Sequence, residues 1–182
     1  MAAEFIKNIY QVKLFAGLIF NDEIFLAKAK KILISFIDKI DFESQILNFT
    51  FTDYYEKEMG KNLKRQFVSF ESLMPPESII KIKHTCWEIE KVLSVKGKRR
   101  INIDPGYLNL FQLVLATTKP YSHRIYLGER VFVEVTLIFH KGSFSPLPWT
   151  YPDYQTEGYL NIFNRLRATY KKQMENLGCL KY

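Results

Sequence analysis

The sequence predicts an α+β fold: an antiparallel or mixed sheet with a ferredoxin-like βαββαβ core, extended by a β-hairpin and closed by a C-terminal helix. Three observations carry this. Apolar residues in the first half of the chain switch between strand and helix periods in the order βαββαβ. A later stretch, "HRIYLGERVFVEVTLIFHK", holds two strand-like runs around a turn near Gly128 and Glu129. The last segment, from about 156 to 177, spaces Tyr159, Phe163, Leu166, Tyr170 and Met174 at helical intervals.

In order along the chain, "QVKLFAGLIF" (11–20) reads as a mostly buried strand rich in β-formers. "NDEIFLAKAKKILISFIDKI" follows as a helix capped by Asn21 or Asp22, with Phe25, Ala29, Ile32, Phe36 and Ile40 on one stripe. "QILNFTFT" alternates apolar and polar residues, which predicts a half-buried strand, and "RQFVSFE" predicts another. After "MPPES", the residues Ile79, Ile82, Cys86, Ile89 and Leu93 recur at steps of three and four, which predicts a helix with Cys86 packed on its apolar stripe. "RRINID" predicts a strand that "DPG" stops. "YLNLFQLVLATTK" suits a short helix or a strand. No repeat, low-complexity tract or linker divides the chain, so residues 1–182 are expected to form a single domain.

Composition bounds the function classes. A chain of 182 residues can bury roughly 70% of its unfolded surface and needs neither disulfide nor metal to fold. Its two cysteines, Cys86 and Cys179, lie far apart. The opening "MAAEFIKNIYQVKL" lacks a basic start followed by an apolar run, and nothing later approaches a bilayer span. A cytoplasmic protein with no membrane partner is the expectation. The net charge of +7 favours anionic partners: phosphates, nucleotides or RNA.

Candidate chemistry crowds into the second half. In the long hairpin strand, Phe132, Glu134, Thr136, Ile138 and His140 share a face, and a mid-strand glutamate there must face water or a polar pocket. "IDPGYL" supplies Asp104 and Tyr107. "ATTKPYSHR" supplies Thr117, Thr118, Lys119, His123 and Arg124, and "TDYYEKEMGK" adds Asp53 and Tyr54. "FHKGSFSPLPWTYPDY" contributes Lys141, Trp149 and Asp153, with Pro146, Pro148 and Pro152 restricting the backbone around the tryptophan. Hydroxyls and cations near strand ends suit phosphate, and aromatic faces suit a base or sugar. Asp53, Asp104 and Glu134 are also oxygen donors of the type magnesium prefers. The chain has no G-x-S-x-G, no H-E-x-x-H and no cysteine pair at zinc spacing.

The segments "FTFTDYYEKEMG", "INIDPGYLNL", "VLATTKPYSHRIYLG" and "VEVTLIFHKGSFSPLPWTYPDY" resemble a bacterial family, domain-of-unknown-function family 4416. Its members are often labelled "GTP-binding protein". The resemblance implies no established reaction. A P-loop GTPase needs G-x-x-x-x-G-K-[ST], whereas "VLSVKGKRR" has one glycine and an arginine after the lysine.

These observations lead to one expectation and two alternatives. The expectation is binding of a phosphorylated small molecule, a nucleotide such as GTP, without a P-loop. Lys119, Arg124 and Lys141 would meet phosphate, Thr117 and Thr118 would donate to it, and Trp149 with Tyr107 would hold the organic part. Asp104, Glu134 or His123 would serve any catalysis. The alternatives are an RNA-binding module, since "FVSF" (67–70) matches the end of an RNA-recognition strand motif, and a protein-interaction scaffold built on the many aromatics.

Overall fold

The computed structural model describes residues 11–179. Within them lie nine strands and four α-helices: β1 (Val12–Phe20), α1 (Glu23–Phe36), β2 (Ile40–Glu43), β3 (Leu47–Asn48), α2 (Glu56–Met59), β4 (Lys64–Met74), α3 (Ile79–Val92), β5 (Ile101–Leu108), β6 (Gln112–Thr117), β7 (Ile125–Gly128), β8 (Val131–His140), β9 (Ser143–Pro146) and α4 (Glu157–Asn176). The strands form one open sheet in the order β2-β4-β1-β5-β6-β8-β7, with β3 on β4 and β9 on β8. Every pairing is antiparallel. The first ten residues, read above for a targeting signal, lie outside the described part. No described helix is long and apolar enough to cross a membrane.

Central β1 is buried on both faces, as its unbroken apolar run requires. Its even residues Leu14, Ala16, Leu18 and Phe20 meet α1 and α3 through Leu26, Ala29, Leu33, Ile79, Ile82, Cys86 and Ile89. On the other face, Phe15 packs with Phe67, Leu137 and the α4 residues Tyr159, Phe163, Leu166, Tyr170 and Met174. The sheet is therefore sandwiched, with two long helices on one side and one on the other.

The α3 stripe is buried as its spacing predicts, and burial in this apolar layer pushes the Cys86 thiol up to about 12. Asp22 supplies the α1 cap, accepting from Ile24 N at 2.9 Å. The hairpin turns at Glu129 and Arg130, both at positive φ.

Three expectations change. Helix α1 ends at Phe36, and the next residues pair with β4 as β2, so the buried stripe is Leu26, Ala29 and Leu33 while Phe36 is exposed. "QILNFTFT" yields only the two-residue strand β3, because Phe49 turns into a separate cluster with Ile19, Met59 and Leu63. Asp104-Pro105-Gly106 does not stop a strand; β5 runs through it to Leu108, and a hairpin leads into β6.

That last difference creates the central feature of the molecule. β5 pairs with β1 along its whole length, but with β6 only through Gly106, Tyr107 and Leu108. The Asn109 N–H donates to Gln112 O across the hairpin. Backbone direction repeats every second residue, so Tyr107, Pro105 and Ile103 also face β6. Pro105 has no N–H to offer, and the ladder ends there. Gly106 holds the last tight approach: a Cβ on it would lie 2.5 Å from Val114 O and 2.7 Å from Phe15 Cζ. Beyond that point β6 follows β8, β5 follows β1, and the sheet opens into a wedge.

Candidate functional site

A cavity of about 540 Å³ occupies the wedge, at the sheet end where β4 and β5 begin and β6 finishes. Its size suits a small organic ligand. The open strand edge is not left bare. From α3, Glu90 accepts the Ile103 N–H at 2.6 Å, and Lys83 Nζ approaches Ile103 O at 3.5 Å. Two side chains thus stand in at Ile103 for the bonds that β6 would have made, giving that residue's backbone N–H and C=O polar partners.

Charged residues around the wedge are linked into one network. Asp104 lies 3.6 Å from Lys83 Nζ and 3.9 Å from Arg65 Nη2, and accepts from Asn102 Nδ2 at 2.8 Å. Arg99 grips both oxygens of Glu58, lies 3.4 Å from Glu90 and donates to Asn102 Oδ1 at 2.8 Å. Burial pushes the Glu90 carboxyl up to about 7, whereas the hydrogen bonds from Arg99 lower that of Glu58.

Arg65 is fully enclosed. Its guanidinium pairs with Asp153 and lies 4.5 Å from the centre of the Phe49 ring, with Phe67, Tyr154 and Tyr159 also within cation–π range. Burial raises the Asp153 carboxyl above its ordinary range, against the opposing pull of Arg65.

Across the cavity, Glu134 of β8 is buried, not solvent-facing. Its Oε2 accepts from Arg124 Nε at 2.7 Å and lies 3.0 Å from His123 Nε2. Thr136 Oγ1 reaches Glu134 Oε1 at 3.5 Å. Behind this group lies a shallower depression lined by Tyr121, Ser122, His123, Arg124, Pro148, Trp149 and Tyr151. The His123 ring stacks on Trp149 with an interplanar angle of 12°, and the Trp149 indole donates to Val135 O at 2.8 Å. Tyr151 lines both hollows and accepts from Arg124 Nη2 at 2.6 Å.

Lys119 differs from the other lining cations. Its ammonium donates to Tyr54 Oη at 2.8 Å and lies 4.2 Å from the same ring; no carboxylate partners it among the described residues. That hydrogen bond, with the attraction of the ammonium charge, lowers the Tyr54 phenol below its ordinary value. Around it the rim carries Phe51, Tyr54, Trp87 and Tyr151, each at least 41% exposed.

Of the residues singled out from the sequence, Tyr54, Asp104, Thr117, Thr118, Lys119, Glu134 and Asp153 line the main cavity. His123, Arg124 and Trp149 line the adjoining depression. Four lie elsewhere. Tyr107 packs toward the two-helix face, and Asp53 is exposed in a turn ahead of α2. Thr136 is buried behind Glu134. Lys141 sits in the β8–β9 turn, seven residues from Glu134 and so about 23 Å along an extended strand. Asp53, Asp104 and Glu134 therefore do not converge, and no three His, Cys, Asp or Glu among the described residues are grouped to hold a metal ion.

The sequence reading missed Arg65, Lys83, Trp87, Glu90, Arg99, Asn102 and Tyr151. A signal existed for one of them: Glu90 lies four residues after Cys86 and next to Ile89, so a carboxylate falls on the apolar stripe of α3. Of the prolines of the 146–152 stretch, Pro152 lines the main cavity beside Tyr151, Asp153 and Tyr154, and Pro148 lines the neighbouring depression with Trp149.

Compared with known proteins, residues 10–170 match the family model described as "Domain of unknown function (DUF4416)". No curated protein and no solved structure matches the chain.

Proposed function

Because the chain belongs to the DUF4416 family, whose description assigns no function, we propose one from the site alone: the wedge binds a phosphorylated small molecule, a nucleotide being the form that fits best. The observation that carries this is Lys119, a cation held only by a phenol, standing beside a rim of exposed aromatic rings. An ammonium without a carboxylate favours an incoming anion, and aromatic faces favour a flat ring. Thr117 and Thr118 stand next to Lys119 and supply hydroxyls to the same anion. Glu134, oriented by Arg124 and His123, is the group best placed for any proton transfer.

The same proposal reads the core as ferredoxin-like, which the strand order β2-β4-β1-β5 and the two helices on one face support. It also places the protein in the cytoplasm of a bacterium, in keeping with two free cysteines, one of them buried. The competing RNA reading draws nothing from "FVSF", whose Phe67 and Phe70 are both fully buried, on opposite faces of the sheet.

Calorimetric titration tests the reading. Guanosine and adenosine nucleotides and a short RNA are titrated at about 0.15 M salt, where loose surface attraction is screened. Saturable nucleotide binding that Lys119→Met removes is the expected result. Heat from RNA alone would transfer the site to nucleic acid, and silence from all ligands would reject the proposal.

A further inference from the structure

Resting on the reading above, we infer that the wedge is built for a ligand with a single phosphoryl group, a nucleoside monophosphate and not a triphosphate. Charge compensation sets the limit. The lining cations are Arg65, Lys83, Arg99 and Lys119, and the lining carboxylates are Glu90, Asp104, Glu134 and Asp153. Arg65 is committed to Asp153 and Asp104, Lys83 to Asp104, and Arg99 to Glu58 and Glu90. Glu134 is neutralised from behind by Arg124. Among the described residues, Lys119 alone of these cations remains for the ligand.

A monophosphate brings about −1.5 to −2 charges at neutral pH, which one ammonium, the hydroxyls beside it and solvent at the open mouth can balance. Each further phosphoryl group would have to take a cation from a buried carboxylate or lie against the carboxylates themselves. Either course leaves like charges unscreened in a partly enclosed cavity. Backbone offers no substitute, because among the described residues no glycine lines the wedge to present a row of N–H groups to a polyphosphate. The aromatic rim, in contrast, has surface for a base: Trp87 and Tyr54 both line the wedge, one on α3 and one in the segment before α2.

The test uses the full chain and compares guanosine monophosphate with the triphosphate, and adenosine monophosphate with its triphosphate, by calorimetry with and without magnesium. For at least one base, the monophosphate is expected to bind about tenfold or more tightly than the triphosphate. Lys119→Met should abolish that binding, while Lys141→Met, an exposed lysine outside the wedge, should leave it unchanged. Far-ultraviolet circular dichroism establishes that both variants fold. Triphosphate binding as tight as or tighter than monophosphate, in either buffer, overturns the inference while leaving the phosphate site standing. Loss of binding in both lysine variants alike would overturn the role of Lys119, and no binding by any of the four nucleotides would sink the site itself.

Discussion

Glu90 of α3 and Ile103 of β5 are joined by a hydrogen bond of 2.6 Å from a backbone N–H to a buried carboxylate. Burial works against the charged form, and the carboxyl is pushed up to about 7. An unfolded glutamate titrates near 4.3, so between about pH 4.3 and 7 the native chain binds more protons than the unfolded one. Stability from this group is complete below that window and falls as pH rises through it, on the order of 3 kcal/mol in all. Glu90→Gln keeps an acceptor for Ile103 and removes the charge. It should flatten the decline and raise the melting temperature at alkaline pH; parallel urea titrations of both proteins between about pH 5 and 8 would show it, and identical slopes would clear Glu90 as the source.

Arg65 and Asp153 form a buried ion pair, and breaking such a pair from one side leaves the other charge uncompensated. Arg65→Met should cost roughly 3–5 kcal/mol in chemical denaturation. The double variant with Asp153→Asn should be more stable than the sum of the single losses predicts, because neither charge is then stranded. Strict additivity would mean that the cation–π enclosure, and not the ion pair, accounts for the effect.

Gly106 lies where β5 and β6 last touch. Gly106→Ala would drive a methyl against the Val114 carbonyl and the Phe15 ring, backbone on one side and a fully buried side chain on the other. A loss of about 2 kcal/mol or more is expected, read as a lowered urea midpoint with an unchanged slope.

Tyr54 reports on Lys119. The hydrogen bond lowers the phenol, so Lys119→Met should move one tyrosine back toward its ordinary range. Difference titration of tyrosinate absorbance in variant and wild type resolves that group among the eleven tyrosines. Superimposable curves would separate the two residues in solution.

How much of this was legible in the sequence depended on the range of the interactions. The α3 stripe, the β7–β8 hairpin and α4 are written in spacings of three, four and two residues, and they fold as those spacings dictate. Glu134 stood out because a carboxylate amid valines needs a partner, and its partners Arg124 and His123 lie only ten and eleven residues away. The wedge did not stand out. It arises because β5 keeps β1 while β6 keeps β8, a choice made between strands distant in sequence, and "DPG" has the composition of a turn whether or not a strand runs through it. Lys83 looked like an ordinary helix-surface charge, and Glu90, although it falls on the α3 stripe, had no visible partner, for the same reason: the backbone group they cap becomes free only once the sheet divides.

Arg65 and Asp153 stand 88 positions apart. During synthesis the ribosome delivers the arginine, together with the strand that carries it, well before the aspartate that neutralises it. A nascent chain lacking the 151–154 segment has one wall of the pocket missing and a guanidinium still in need of water. Domains generally fold as units when their sequence has emerged. The pocket is thereby closed on that side only after the 151–154 segment has emerged, and protection of Arg65 from solvent would mark the moment at which the last wall docks.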